Sequence, residues 1–113
     1  MEMYKKYIEE LYDNASIVFN SKGFLEYRIL GEGEDKELYI KELGILKEFR
    51  KTHGARDLAD QVSNVARDLG CKYLSASMSP LNENPDVSMK VILSYGFKPL
   101  RAEDNVVWFI KEL

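Results

Sequence analysis

Apolar and polar positions along this chain repeat with two different periods, and the changes of period mark out its elements. Met3, Tyr4, Tyr7, Ile8, Leu11 and Tyr12 recur at steps of three and four, which predicts an amphipathic helix ending near Asn14. "SIVFN" then reads as a strand, and Ser21, Lys22 and Gly23 form a short turn into a second strand, "FLEYRILG". A turn at "GEGED" leads to "KELYIKELGIL", where Leu38, Ile40 and Glu42 alternate with Tyr39, Lys41 and Leu43 as in a third antiparallel strand. From Gly54 the period becomes helical, with Leu58, Val62, Val65, Ala66 and Leu69 on one face and Gly70 as the cap. The strand "KYLSASM" follows. In "NENPDVSMKVILSYGF", Asn84 suits an N-cap, Pro85 the first helical position and Gly96 the end. "FKPLRAEDNVVWFIKEL" closes the chain as a hairpin turning at Glu103 to Asn105.

This order predicts an α+β fold: a mixed, mostly antiparallel central sheet with flanking helices. The strand-helix-strand unit around Gly54 should be a right-handed crossover that sets Tyr73 to Met78 parallel to Glu37 to Leu46. With 113 residues, and no repeat, low-complexity stretch or linker, residues 1–113 read as one domain.

Composition narrows the function classes. A net charge of −3 gives no general field that would draw the chain to nucleic acid or to an anionic membrane, so an anion needs a local site. No apolar run nears the roughly 18 residues of a membrane span, and the first residues lack the apolar core of a signal peptide, so a cytoplasmic location is expected. Cys71 is the one cysteine. It reads as a buried free thiol, with no basic partner in sequence but Lys72. One histidine and one cysteine cannot build a zinc site, and no metal is expected.

The local anion site falls at "FRKTHGARDLADQV", residues Phe49 to Val62. A strand ends there, a turn follows and a helix begins with small residues. The first N–H groups of a helix have no internal partner, and the helix dipole places about half a positive charge at that end. Gly54 and Ala55 leave the backbone accessible, so a phosphate can approach the N–H groups of Thr52 to Arg56, with Arg50, Lys51 and Arg56 adding charge. A short glycine pattern of this kind also occurs as a plain solvated helix start, and the flanking elements are what favour the anion.

With those flanks the sequence resembles the GNAT superfamily of acetyl-CoA-dependent N-acetyltransferases, whose signature is Gln or Arg, two residues, Gly, one residue, then Gly or Ala. Arg50 holds the first place, Ala55 the last, Leu58 the helical leucine, and Ile45 the apolar end of the preceding strand. "DLGCKYLSASMSPLNEN" is similar to the family's next strand and asparagine-bearing loop, "SMKVILSYGF" to its last helix, and "VVWFIKEL" to its final strand. The resemblance covers about Glu37 to Leu113.

The resemblance implies acetyl-CoA as co-substrate. Its pyrophosphate would meet Arg50, Lys51, Thr52, His53, Gly54, Ala55 and Arg56. Its pantetheine would meet Leu43, Gly44 and Ile45 where the two parallel strands splay, with N–H groups there polarising the thioester carbonyl. Three positions depart from the family pattern. His53 stands where the first glycine is usual, with Gly54 one place later. Ile92 holds the place of the tyrosine that often serves as general acid. The N-terminal strand and one of two pocket helices are missing or merged into Met3 to Tyr12, which leaves an open acceptor site suited to a lysine or N-terminus of a protein or peptide.

Transfer to an amine needs a base, since only the neutral amine attacks, and direct attack needs no covalent enzyme intermediate. Glu42 is the preferred base, directly or through water, against its reading as an ordinary solvent-facing strand carboxylate. Tyr95 and Ser94 are weaker choices for the acid. Tyr4, Tyr7 and Tyr12 read as core, with an acceptor groove as the other option, and Trp108 reads as core. Two other functions stay open: a degenerate member that binds CoA or a protein partner without catalysis, and an unrelated α+β binding domain that carries the anion turn by chance. An open sheet also leaves room for a homodimer.

Overall fold

The computed structural model describes residues 1–50, 53–79 and 85–113, and of residues 85–88 the helical backbone alone. The elements follow in the order α1 (Glu2–Leu11), β1 (Ala15–Phe19), β2 (Gly23–Leu30), β3 (Glu37–Ile45), α2 (Gly54–Asp68), β4 (Tyr73–Met78), α3 (Pro85–Ser94), β5 (Lys98–Glu103) and β6 (Val106–Glu112). Single 3₁₀ turns at Gly33–Asp35 and Lys47–Phe49 precede and follow β3.

The strands form one six-stranded sheet in the order β1-β2-β3-β4-β6-β5, antiparallel everywhere except between β3 and β4. The α+β reading therefore holds, with the parallel pair where the crossover through α2 places it. Asp104 and Asn105 both have positive φ, the left-handed geometry of a two-residue hairpin turn, which Asp and Asn tolerate better than most residues.

One face of the sheet carries the main core. Leu58, Val62 and Ala66 recur one turn apart along α2 and are fully buried against Leu25, Leu38, Leu74 and Phe109. Met89, Ile92 and Tyr95 of α3 pack on the same cluster. The opposite face is thinner: Ile8 of α1 packs with Ala15 and Ile17 of β1, and Phe19 and Phe24 flank them.

Four sequence expectations need correction. Leu69 is largely exposed, because α2 ends at Asp68 and Gly70, with φ 79°, turns the chain away. Tyr4, Tyr7 and Tyr12 are not core: α1 lies along the sheet margin, buries Ile8 alone and leaves its tyrosines 39%, 56% and 46% exposed. Trp108 lies on the face opposite Phe109, half-buried against Tyr39. The alternation along β3 is broken. The pairing of β2 with β3 slips between Glu26 and Tyr27, so Glu42 pairs with Glu26, Ile40 with Tyr27, and Lys41 is the extra residue. Beyond this bulge Leu43, not Glu42, shares the face of Leu38 and Ile40.

Candidate functional site

The bulge and the parallel pair together open the sheet. β3 and β4 pair only from Glu37 and Tyr73 to Ile40 and Ala76. β3 continues to Ile45 beside β2, while Ser77 and Met78 continue beside β6. The two strands thus part in a V whose vertex is at Ile40 and Ala76, and on the β4 side the edge of β3 over residues 41–45 has no strand beside it among the described residues. Leu43, Gly44 and Ile45, expected from the sequence to meet pantetheine, all lie on this edge. A Cβ at Gly44 would meet the Phe24 ring, so any larger residue there would need the ring to move.

The turn at Phe49 stands directly above that arm. Arg50 Nε donates to the Ile45 carbonyl at 3.1 Å, which fastens the turn to the strand end. Gly54 is buried, and a Cβ on it would sit 3.4 Å from Ile45 Cγ2 and 3.5 Å from the Phe49 carbonyl oxygen. His53 is the N-cap of α2 and makes no side-chain cap hydrogen bond, so the N–H groups that open the helix remain uncapped by it. Lys22 reaches Asp57 in the first turn at 3.5 Å and adds a cation at this end. Lys51 and Thr52 lie outside the described residues. Arg56 is exposed and lines an open cleft of about 400 Å³ on the outer side of α2, with Asp60, Arg67, Tyr95 and Lys111.

The face of the sheet beside α1 carries a row of chemistry that the sequence reading largely missed. Glu26 is buried and accepts from the Tyr4 hydroxyl at 3.0 Å on one oxygen, while Arg28 Nη2 lies 2.8 Å from the other. Arg28 also donates to the Tyr27 carbonyl and stacks on Tyr12 at 4.5 Å. The hydrogen bond to Glu26, then burial and the charges of Glu26 and Glu42, hold the Tyr4 hydroxyl above the ordinary tyrosine pKa. Glu42 pairs in register with Glu26, is exposed, and has no ion pair among the described residues. Further along the same face, the Tyr39 and Ser77 hydroxyls share a 2.6 Å hydrogen bond across the vertex of the V. The Tyr39 ring rests against Trp108, and Arg101 covers Trp108 at 5.0 Å. The signal available in sequence was the polar spacing "LEYR" and "LSASM" inside strands that otherwise read as core.

The remaining sequence candidates point elsewhere. Tyr95 donates to Asp60 at 2.6 Å and lies 3.2 Å from Ser63 Oγ on the α2 side; burial, then the Asp60 bond, raises its pKa. Ser94 bonds back to the Val91 carbonyl. Cys71 is buried, which raises its thiol pKa. Asn84 lies outside the described residues. Among the described residues, no group of three or more His, Cys, Asp or Glu is placed to hold a metal, and no helix is long and apolar enough to cross a membrane.

An open mixed sheet whose single parallel pair splays beside a helix start defines the acyl-CoA N-acyltransferase architecture. Solved structures share it. An acetyltransferase of the GNAT family from Desulfovibrio desulfuricans matches with a TM-score of 0.75 at 14% identity, over 92% of this chain and 74% of its own. The PaiA N-acetyltransferase of Thermoplasma acidophilum, solved with coenzyme A, gives 0.75 at 14% identity, over 99% and 69%. Arabidopsis thaliana NAA60, solved with a bisubstrate analogue, gives 0.69 at 14% identity, over 98% and 91%. The chain has the GNAT fold. No protein-family model matches the sequence, and none of the curated proteins does.

Proposed function

We propose that this protein binds acetyl-CoA in the V between β3 and β4 and transfers the acetyl group to a primary amine, a lysine or N-terminus of a protein or peptide. The observation that carries the reading is the coincidence of three features at one place: a strand edge with no neighbouring strand among the described residues, a vertex where the parallel pair ends, and a helix start that the His53 side chain does not cap, next to the turn that Arg50 fastens to Ile45. Solved relatives of this fold with coenzyme A support it.

The chain's groups fit the proposed co-substrate. The N–H groups of Gly54, Ala55 and Arg56 would receive the pyrophosphate, with His53, Lys51, Thr52 and Arg50 around them. The free edge of Leu43 to Ile45 would pair with pantetheine as it would with a strand, and its N–H groups would polarise the thioester carbonyl. Acetyl-CoA supplies an activated acyl carbon; the protein supplies position and proton traffic. Glu42, exposed on the face beside the vertex, takes the proton from the incoming ammonium. The acceptor approaches over the face between α1 and Arg101, where Tyr4, Tyr39 and Trp108 offer flat aromatic surface.

The test is thermal melting with and without acetyl-CoA, followed by detection of free thiol with a panel of amines and lysine peptides. A melting rise and thiol release dependent on amine are expected. No rise at millimolar acetyl-CoA refutes the reading, and a rise without turnover across the panel favours a module that binds CoA without catalysis.

A further inference from the structure

We propose that Tyr39 is the proton donor to the sulfur that leaves in acetyl transfer, and that Ser77 is its positioning residue. The inference rests on the acetyl-transfer reading above. Tyr39 lies one residue before the last parallel pair and Ser77 one residue after it, so their 2.6 Å hydrogen bond spans the vertex. Both side chains lie on the acceptor face, because Tyr39 pairs with Arg28 on β2 and with Ser75 on β4, and Ser77 pairs with Trp108 on β6.

The ring of Tyr39 is held. Its centroid is 5.8 Å from that of Trp108, at an interplanar angle of 36°, and Arg101 closes over Trp108 from β5. The hydroxyl is therefore delivered to one point without a loop or a mobile helix. A polar pair here is also unexpected for a half-buried sheet face, and Ser75 directly beside it is buried with no hydrogen-bond partner for its Oγ among the described residues. Other hydroxyls already discussed cannot serve: Tyr4 is engaged with Glu26 above β2, and Tyr95 with Asp60 beyond α2.

Either oxygen of the pair can be the donor. When Ser77 donates to Tyr39, the phenol proton is free to point into the V. The step then balances as follows. The neutral amine nitrogen gives its lone pair to the thioester carbonyl carbon, forming C–N. The C–S bond breaks and its electron pair goes to sulfur, which takes the Tyr39 proton to become the CoA thiol. The phenolate is held by the Ser77 O–H until water returns a proton, and the surplus proton on nitrogen leaves through Glu42 to solvent. The net reaction from an ammonium acceptor releases one proton. The charged groups on the face of Tyr39 are Arg28 from β2 and, over Trp108, Arg101 from β5, with Glu37 and Glu42 on its own strand.

The test needs no acceptor. Bound CoA is titrated with pH and its thiolate followed by ultraviolet absorbance, for the native chain, Tyr39→Phe, Ser77→Ala and Ser77→Thr, with CoA melting curves alongside. A hydroxyl that donates to sulfur favours the thiolate, so the native complex should hold a thiol about tenfold more acidic than Tyr39→Phe does. Ser77→Ala should lose part of that difference and Ser77→Thr should keep it. Equal thiol acidity in the native chain and Tyr39→Phe, with CoA binding intact in both, overturns the assignment and leaves the CoA reading standing. If Tyr39→Phe does not fold, Ser77→Ala decides: native acidity there overturns the pair's role, and reduced acidity supports it. No melting shift in the native chain overturns both.

Discussion

Removing Arg28 from beneath α1 should cost this protein more stability than removing the charge pair as a whole. Arg28 and Glu26 have side chains only 10% and 3% exposed and meet at 2.8 Å, so solvent screens the pair little. In Arg28→Met, Glu26 keeps one hydrogen bond, from Tyr4, and loses its counter-charge, while Tyr12 loses the guanidinium on its ring. Breaking a buried pair from one side costs about 3–5 kcal/mol. The lower end applies here because Tyr4 still solvates one carboxylate oxygen, which gives ~3 kcal/mol. At ~4 °C per kcal/mol for a chain of this size, the melting temperature should fall by ~12 °C. The double variant Glu26→Gln, Arg28→Met leaves no buried charge and should lose about half as much. Urea unfolding followed by the fluorescence of Trp108, the one tryptophan, measures both. A cost below ~1 kcal/mol for Arg28→Met, or a double variant worse than the single by the full cost of Glu26→Gln, refutes the argument that this charge depends on its partner.

Other outcomes follow from the same structure. Gly54→Val should diminish the acetyl-CoA melting shift, since its Cβ already stands 3.4 Å from Ile45 and the added methyls crowd the helix start; Arg50→Ala should diminish it too by loosening the turn from Ile45. Cys71, buried with a raised thiol pKa, should react with a thiol reagent only slowly in the native chain at neutral pH, and Cys71→Ala should leave the acetyl-CoA shift unchanged. Tyr95 carries a folded pKa above its unfolded value of ~10. Its stabilising contribution is therefore complete below about pH 10 and is lost as pH rises through the folded value, so Tyr95→Phe should flatten the alkaline fall in stability measured by denaturation at stepped pH.

The fold was largely legible because its determinants are local. The period along "LADQVSNVARDL" and the capping Gly70 fix α2, and "EDN" supplies the two left-handed positions that turn β5 into β6. What sequence could not show depends on register. Alternation through "LYIKEL" places Glu42 with Ile40, but a single extra residue at Lys41 moves it to the other face, beside Glu26. That one slip turns a strand carboxylate into a member of the polar row beside α1. The tyrosines of α1 misled for a different reason: helical spacing marks a shared stripe, and the stripe here lies at the margin of a small sheet that covers only Ile8. The turn before α2 was legible as a pattern, while the bond that fastens it, Arg50 to the Ile45 carbonyl, joins a side chain to a backbone atom and leaves no trace in composition. Tyr39 and Ser77 stand on either side of the last parallel pair, a placement that strand register decides.

The most direct measurement is the change in backbone amide resonances when acetyl-CoA is added to the isotope-labelled protein. Shifts should concentrate at Leu43, Gly44, Ile45, Gly54, Ala55 and Arg56, with β1 and β5 unmoved. Shifts confined to the outer cleft at Arg67, Tyr95 and Lys111, or none at millimolar acetyl-CoA, would contradict the proposed site.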